Sequence, residues 1–345
     1  MILIHRLALR TLTVATIVLA VAVGNVFSQT PSQTTNPELA PAVKLLNERR
    51  SKEAVQAFKR AVEKNKLDAD AWYYLGIAYL QTRDLKKASD AFVKTIKLEP
   101  KYAAGAHAAY GYALMRRGKL KDAKDEIQKA LAADPKNVDA LYTMSVISLR
   151  AEHREDAIKY ADAVIALQPE LAEAYLVKSQ AYVQFTLDAL VSNPSVPREE
   201  RPGRYKAAAD ALEQYLKLAK DSAEKQLWTE QLATLRFYGS DNSQRPESEK
   251  VYRSPELTTK VRLLSKPEPA YTAAAKAEAV NGRVILRCVF AGDGTVKHLL
   301  VLRSLPAGLT EASIAAAKQI KFVPATINGK PVSMVIQLEY NFNFY

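Results

Sequence analysis

The sequence predicts an α+β multidomain protein: an all-α helical solenoid followed by a small α+β domain with a three-stranded antiparallel sheet. Two observations carry this expectation. A pattern recurring every 34 or 35 residues fills the first two thirds of the chain, and beyond residue 260 the apolar period changes from helical spacing to strict alternation. The clearest alternation is the ending, PVSMVIQLEYNFNFY. There Val332, Met334, Ile336, Leu338, Tyr340, Phe342 and Phe344 share one face of an extended strand.

The first 28 residues come before either pattern. His5, Arg6 and Arg10 precede an uncharged run from Thr11 to Phe27, which is the layout of a secretory signal peptide or a retained N-terminal anchor. Residues 29–37 then read as a short linker. An exported chain is expected, with the periplasm as its compartment and inner-membrane anchoring left open. The single cysteine, Cys288, excludes an intrachain disulfide and suits a strand core. Hydrophobic content of 48% with 25% charged residues excludes a wholly disordered or polytopic membrane chain. The formal charge of +12 is spread along the sequence and fits peptide or envelope partners better than nucleic acid.

From 38 to 238 the units ADAWYYLGIAYLQTRDLKKASDAFVKTIKLEP (69–100), AGAHAAYGYALMRRGKLKDAKDEIQKALAADP (104–135) and VDALYTMSVISLRAEHREDAIKYADAVIALQP (138–169) align on Pro100, Pro135 and Pro169 and on Ala88, Ala123 and Ala157. Small residues at Gly76, Gly111 and Ala88 let paired helices approach, and each proline closes a helix. These units resemble tetratricopeptide repeats. The first matches that family at Trp72, Leu75, Gly76, Tyr79, Ala88, Phe92 and Pro100. An earlier degenerate unit carries Ala54 and Phe58. A later one starts at 172, is interrupted by SNPSVPREERPG, and ends with a capping helix around Trp228, giving about five helix pairs in all.

The resemblance implies a concave groove lined by the first helices. Matching positions place Tyr73, Ile77, Tyr112, Arg116, Tyr142, Arg150 and Gln184 along it, where aromatic rings beside arginines suit an extended or acidic peptide. The same tyrosines equally suit packing between repeats. The asparagines by which some of these domains clamp a terminal carboxylate are absent, since Ile77 and Tyr112 stand in their places.

GSDNSQRPESEK has no apolar period, so residues 239–261 read as a boundary linker. In the final domain, 262–345, GRVILRCVF and TVKHLLVLR flank Gly292-Asp293-Gly294 as a β-hairpin. A helix should start near Thr310, whose hydroxyl would cap it, with Leu309, Ala312, Ala316 and Ile320 as its buried stripe. The last strand is much longer than the usual roughly 5–6 residues.

This domain resembles the C-terminal domain of the TonB family of periplasmic energy transducers. The match takes in Pro269, Tyr271, Gly282, Val284, Gly294, Val296, Leu309, Phe322-Val323-Pro324-Ala325, Gly329, Pro331-Val332, Phe342 and Phe344. Thr272 departs from the family's usual proline. The resemblance implies that the last strand takes up an extended peptide from an outer-membrane receptor as one more strand, in energy-dependent transport across the envelope. Val335, Gln337, Glu339 and Asn341 are the expected pairing residues, with Tyr271 nearby. The family's anchor-helix histidine has no counterpart, because His5 precedes the apolar run. The alternative is a structural envelope scaffold working through the repeat groove, with the small domain as a packing or homodimerisation module. The four histidines lack ligand spacing and no nucleophile or phosphate-loop motif occurs, so neither an enzyme nor a metal or cofactor site is expected.

Overall fold

A computed structural model describes residues 36–99, 103–191, 200–219, 225–277 and 279–343. The expected leader, most of the following linker and residues 192–199 of the proline-rich interruption lie outside them. Among the described residues eleven α-helices come first: α1 (Ala40–Asn47), α2 (Ser51–Lys64), α3 (Ala69–Gln81), α4 (Leu85–Leu98), α5 (Ala103–Arg116), α6 (Leu120–Ala133), α7 (Val138–Arg150), α8 (Arg154–Leu167), α9 (Ala172–Val191), α10 (Glu200–Leu218) and α11 (Lys225–Gly239).

Their starts are written locally. Asp68, Asp84 and Asn137 accept hydrogen bonds from the amides of Ala71, Lys87 and Ala140, capping α3, α4 and α7. Packing within a pair depends on the small residues. A Cβ on Gly76 would sit 2.5 Å from the Phe92 ring, and one on Gly111 would sit 2.7 Å from Ile127. Phe58, Ala88, Phe92, Ala123, Ile127 and Ala157 are fully buried, as the aligned repeats require.

The remainder runs β1 (Val251–Tyr252), β2 (Arg262–Ser265), α12 (Ala273–Ala277), β3 (Gly282–Phe290), β4 (Val296–Arg303), α13 (Leu309–Lys318), β5 (Lys321–Val323), β6 (Ala325–Ile327) and β7 (Lys330–Phe342). The main sheet has the order β1-β7-β3-β4, with β6 also paired to β7, while β2 and β5 form a separate ribbon. The three predicted strands, β7, β3 and β4, are contiguous in it and pair antiparallel. β3 and β7 pair antiparallel without a break from Gly282 opposite Phe342 to Phe290 opposite Met334. One core lies between this sheet and α12 and α13, built from Val284, Leu286, Cys288, Phe290, Leu309, Ala316, Ile320, Leu338, Tyr340 and Phe342.

Four expectations change. The stretch read as a linker, 239–261, instead contains short 3-10 turns and β1, which pairs parallel to β7 at Ser333 and Met334. β6 adds a hairpin whose Asn328 and Gly329 both have positive φ, as a two-residue turn of this kind needs. Thr310 does not cap α13. Its hydroxyl bonds the Leu305 carbonyl and amide, while Gly308, at φ 81°, occupies the cap. Ser313, and not Ala312, completes the buried stripe.

The larger change concerns where the chain divides. Its two compact units meet between Ala181 and Tyr182, within α9, so the last helices belong with the sheet. The cause is the second face of the sheet, which is not left to solvent. Ile285, Val289, Leu300 and Leu302 are buried there, and so is Arg287. Its guanidinium donates to the Thr186 carbonyl at 3.1 Å and lies 5.7 Å from the Tyr205 ring centre.

Candidate functional site

A β-sheet has two edges, and each offers unpaired N–H and C=O groups unless something blunts it. On the β4 side, α11 does so. The side-chain amide of Gln231, itself buried, donates to the Leu299 carbonyl at 2.9 Å and accepts from the Val301 amide at 3.1 Å. One glutamine thus answers two backbone groups as a neighbouring strand would. Tyr238 adds a hydrogen bond from its hydroxyl to the His298 carbonyl at 3.0 Å, and the His298 ring stacks on Phe237 at 3.6 Å. His298 has φ 47° in the midst of β4, where the β3–β4 register shifts, so this edge is also bulged.

The β7 side is treated differently along its length. At its start, β6 covers Lys330–Val332 and β1 covers Ser333 and Met334. β1 is itself blunted by Asn242, whose amide bonds both the N–H and the C=O of Val251 at 2.9 Å. Beyond Met334 no strand among the described residues lies outside β7.

The direction of the remaining backbone groups follows from the ladder. The Ala291 amide bonds the Thr295 carbonyl across the β3–β4 turn, so odd-numbered residues of β3 address β4 and even-numbered ones address β7. The unbroken register then makes even residues of β7 answer β3. Val335, Gln337, Glu339 and Asn341 therefore turn their N–H and C=O groups outward. These are the four residues expected from the sequence. The Glu339 carbonyl accepts from Lys266 Nζ at 3.1 Å, in keeping with that direction.

Charged side chains lie along this edge. Glu339 pairs with Arg283 at 3.0 Å across to β3. Lys266 Nζ lies 4.6 Å from the centre of the Tyr340 ring. Burial pushes the Tyr340 hydroxyl up to about 12, with the nearby Glu268 charge adding to it. Tyr271 is a brace and not part of the edge: its hydroxyl donates to the Val280 carbonyl and its ring meets Phe342 edge-on at 5.8 Å.

In the repeat unit, Tyr73, Ile77, Tyr112 and Tyr142 are buried, so these side chains pack among the helices. Arg116 and Arg150 are only partly buried. Arg116 Nη1 donates to the Tyr112 hydroxyl at 2.9 Å, and Arg150 Nη1 donates to the Met115 carbonyl at 3.3 Å. Gln184 falls in the other compact unit. The sequence reading missed Gln231, Asn242, Lys266 and Arg287. Asn242 acts over nine residues but stands in a stretch with no apolar period, and the other three gain their roles from partners more than 60 residues away.

Residues 267–344 match the family described as Gram-negative bacterial TonB protein C-terminal, and residues 42–175 match the cytochrome c-type biogenesis protein H TPR domain. The chain joins a tetratricopeptide-repeat region to a TonB C-terminal domain. Among solved structures, the APC/C hetero-tetramer Cut9-Hcn1 is similar over 64% of this chain and 40% of its own, at 16% identity and TM-score 0.50. PilF of Pseudomonas aeruginosa is similar over 57% of this chain and 82% of its own (15% identity, TM-score 0.46). MamA is similar over 51% and 96% (21% identity, TM-score 0.41). No curated protein shows significant similarity to the chain. Among the described residues, no helix is long and apolar enough to cross a membrane.

Proposed function

We propose that this protein is an exported binding protein of the periplasm, acting by recognition and not by catalysis. Its TonB C-terminal domain takes up an extended peptide of an outer-membrane receptor along Val335–Asn341, in energy-dependent transport across the envelope. The repeats hold a second protein. The observation that carries this reading is the contrast between the main sheet's edges: β4 and β1 are closed by the amides of Gln231 and Asn242, whereas Val335, Gln337, Glu339 and Asn341 of β7 turn their backbone groups outward with no strand beside them among the described residues, Lys266 meeting the Glu339 carbonyl alone. Added-strand binding draws its affinity from such main-chain groups.

The test is amide exchange with synthetic peptides from outer-membrane receptors. Val335, Gln337, Glu339 and Asn341 should exchange faster than Ile336, Leu338 and Tyr340 in the free protein and become protected when a peptide binds. Gln337→Pro removes one outward N–H while sparing the β3 ladder, and should abolish that protection. Equal protection of all seven amides in the free monomer, unaltered by any peptide, would sink the reading.

A second reading has its own support. β1 and Lys266 already occupy parts of the β7 edge, as they would in a packing or dimerisation module. Under that reading sedimentation gives a dimer, and Gln337→Pro returns it to a monomer without any peptide being present.

A further inference from the structure

We propose that the β2–β5 ribbon is a contact surface for an anionic lipid bilayer, its two leucines entering the headgroup layer while the cations beside them meet lipid phosphates. Single exposed apolar side chains need no explanation, but clustered ones do. Three of the six large apolar residues exposed among the described residues, Leu263, Leu264 and Val323, stand on this one ribbon. β2 pairs with β5 at Arg262–Val323, Leu263–Phe322 and Ser265–Lys321, which leaves Leu264 as the extra residue of a bulge. A regular strand packed on one side would hide every second side chain. Here all four residues of β2 are exposed, Leu263 at 51% and Leu264 at 57%. The ribbon is nevertheless fixed to its domain, because Phe322 is buried and stacks on Phe290 at 4.3 Å, and Val261 packs against the same core.

The charge around these side chains is of one sign. Residues 257–267 and 312–338 contain no acidic side chain, and they supply Lys260 and Arg262 on the β2 side and Lys318 and Lys321 on the β5 side. All four cations are exposed, and among the described residues none forms an ion pair. Arg262 lies directly across from Val323, so charge and apolar surface share a face. Of the acidic residues that flank the two stretches, Glu256 accepts from the Arg253 amide and Glu339 pairs with Arg283. Cations around a projecting apolar pair suit an anionic headgroup layer, where each cation strengthens binding about fivefold and each leucine adds the burial of its side chain. A protein partner would need more room: a stable interface buries about 800 Å² on each side, beyond what strands of four and three residues offer. The ribbon also ends beside the open part of β7, since Lys266, directly after β2, donates to the Glu339 carbonyl. Docking it on a bilayer holds Val335–Asn341 near the membrane face, whatever β7 binds.

The test uses the full chain with Leu264→Cys carrying a polarity-sensitive dye; Cys288 is buried, so the dye reports from the ribbon alone. Vesicles of phosphatidylglycerol and phosphatidylcholine in equal parts should shift its emission to the blue, and vesicles of phosphatidylcholine alone should not. Arg262→Glu combined with Lys321→Glu should abolish the shift; both side chains are exposed, and an unchanged melting temperature shows that the fold is kept. The same dye at Ser243→Cys, on the turn before β1, should not respond. In the unlabelled chain, Leu263→Ser with Leu264→Ser should lower the fraction that floats with mixed vesicles to the level seen with phosphatidylcholine alone. No shift with mixed vesicles, or an equal shift with both kinds, overturns the proposal, as does an equal response at Ser243. Insensitivity of the shift to the charge reversal, or of flotation to the serine pair, overturns it too. A shift produced by polyglutamate without lipid replaces the bilayer with an acidic macromolecule and rejects the lipid assignment. Peptide protection of the β7 amides is a separate readout, so either reading can fail while the other stands.

Discussion

Replacing Gln231 by methionine tests whether one side chain truly closes the β4 edge. Methionine keeps nearly the same length and volume, so packing against α11 persists, but the Leu299 carbonyl and the Val301 amide lose their partners at 2.9 and 3.1 Å. Because Gln231 is only 6% exposed, water has little room to replace it. Leaving a buried polar group unsatisfied costs about 1–3 kcal/mol. Two such groups, less some gain from burying the thioether, give a loss of roughly 2–4 kcal/mol. For a unit of this size each kcal/mol lowers Tm by about 2–4 °C, so a fall of roughly 4–16 °C is expected. The assay is thermal melting followed by Trp228 fluorescence in a Trp72→Phe background, since these two tryptophans are the only ones and lie in different compact units. Gln231→Glu should be at least as damaging at neutral pH, because a buried carboxylate would face the Leu299 carbonyl with no proton to donate, and should recover at low pH once it is protonated. A Gln231→Met protein within about 0.5 kcal/mol of the wild type would refute the reasoning, placing the pair's worth below that of an ordinary hydrogen bond.

Gly76→Ala should destabilise the repeat unit by about 1–3 kcal/mol in urea unfolding, because the added methyl meets Phe92 at 2.5 Å inside a packed helix pair. Burial pushes the Asp139 carboxyl up from 3.8 to about 8. The folded state therefore holds a proton that the unfolded chain releases, and this contribution to stability declines as pH rises from about 4 to 8. Asp139→Asn should flatten that slope in melting curves, and an unchanged slope would reject the assignment. Burial likewise pushes the Cys288 thiol up to about 12, so a thiol-reactive dye should label it only on unfolding, in step with the loss of Trp228 signal. Lys266→Met frees the Glu339 carbonyl and should tighten receptor-peptide binding a few-fold, as expected for removal of a competing hydrogen bond. Weaker binding would make Lys266 a contact instead.

What could be read in advance was local. The caps at Asp68 and Asp84, the glycines facing Phe92 and Ile127, and the even-numbered apolar face of β7 all depend on residues close together in sequence or on a strict period. Asn328-Gly329 is an equally local turn signal, but the strand before it spans only Ala325–Ile327, too short to show an alternation of its own. Thr310 misled because a hydroxyl before an apolar stripe suits a cap, yet the same hydroxyl found both backbone groups of Leu305. Alternation along β7 separates the residues whose side chains enter the core from the rest, but says nothing of which edge stays open.

The sequence by itself determined the repeat register, the order of strands along the chain and the side of β7 that enters the core, because each is set by spacing that neighbouring residues enforce. Only the tertiary structure decided that α11 closes β4, that Asn242 closes β1, that Arg287 is buried beneath α9 and α10, and that Arg116 and Arg150 meet across two repeats. Most of those outcomes rest on hydrogen bonds between residues tens of positions apart, and the Asn242–Val251 pair, though only nine apart, forms where no periodic pattern marks it.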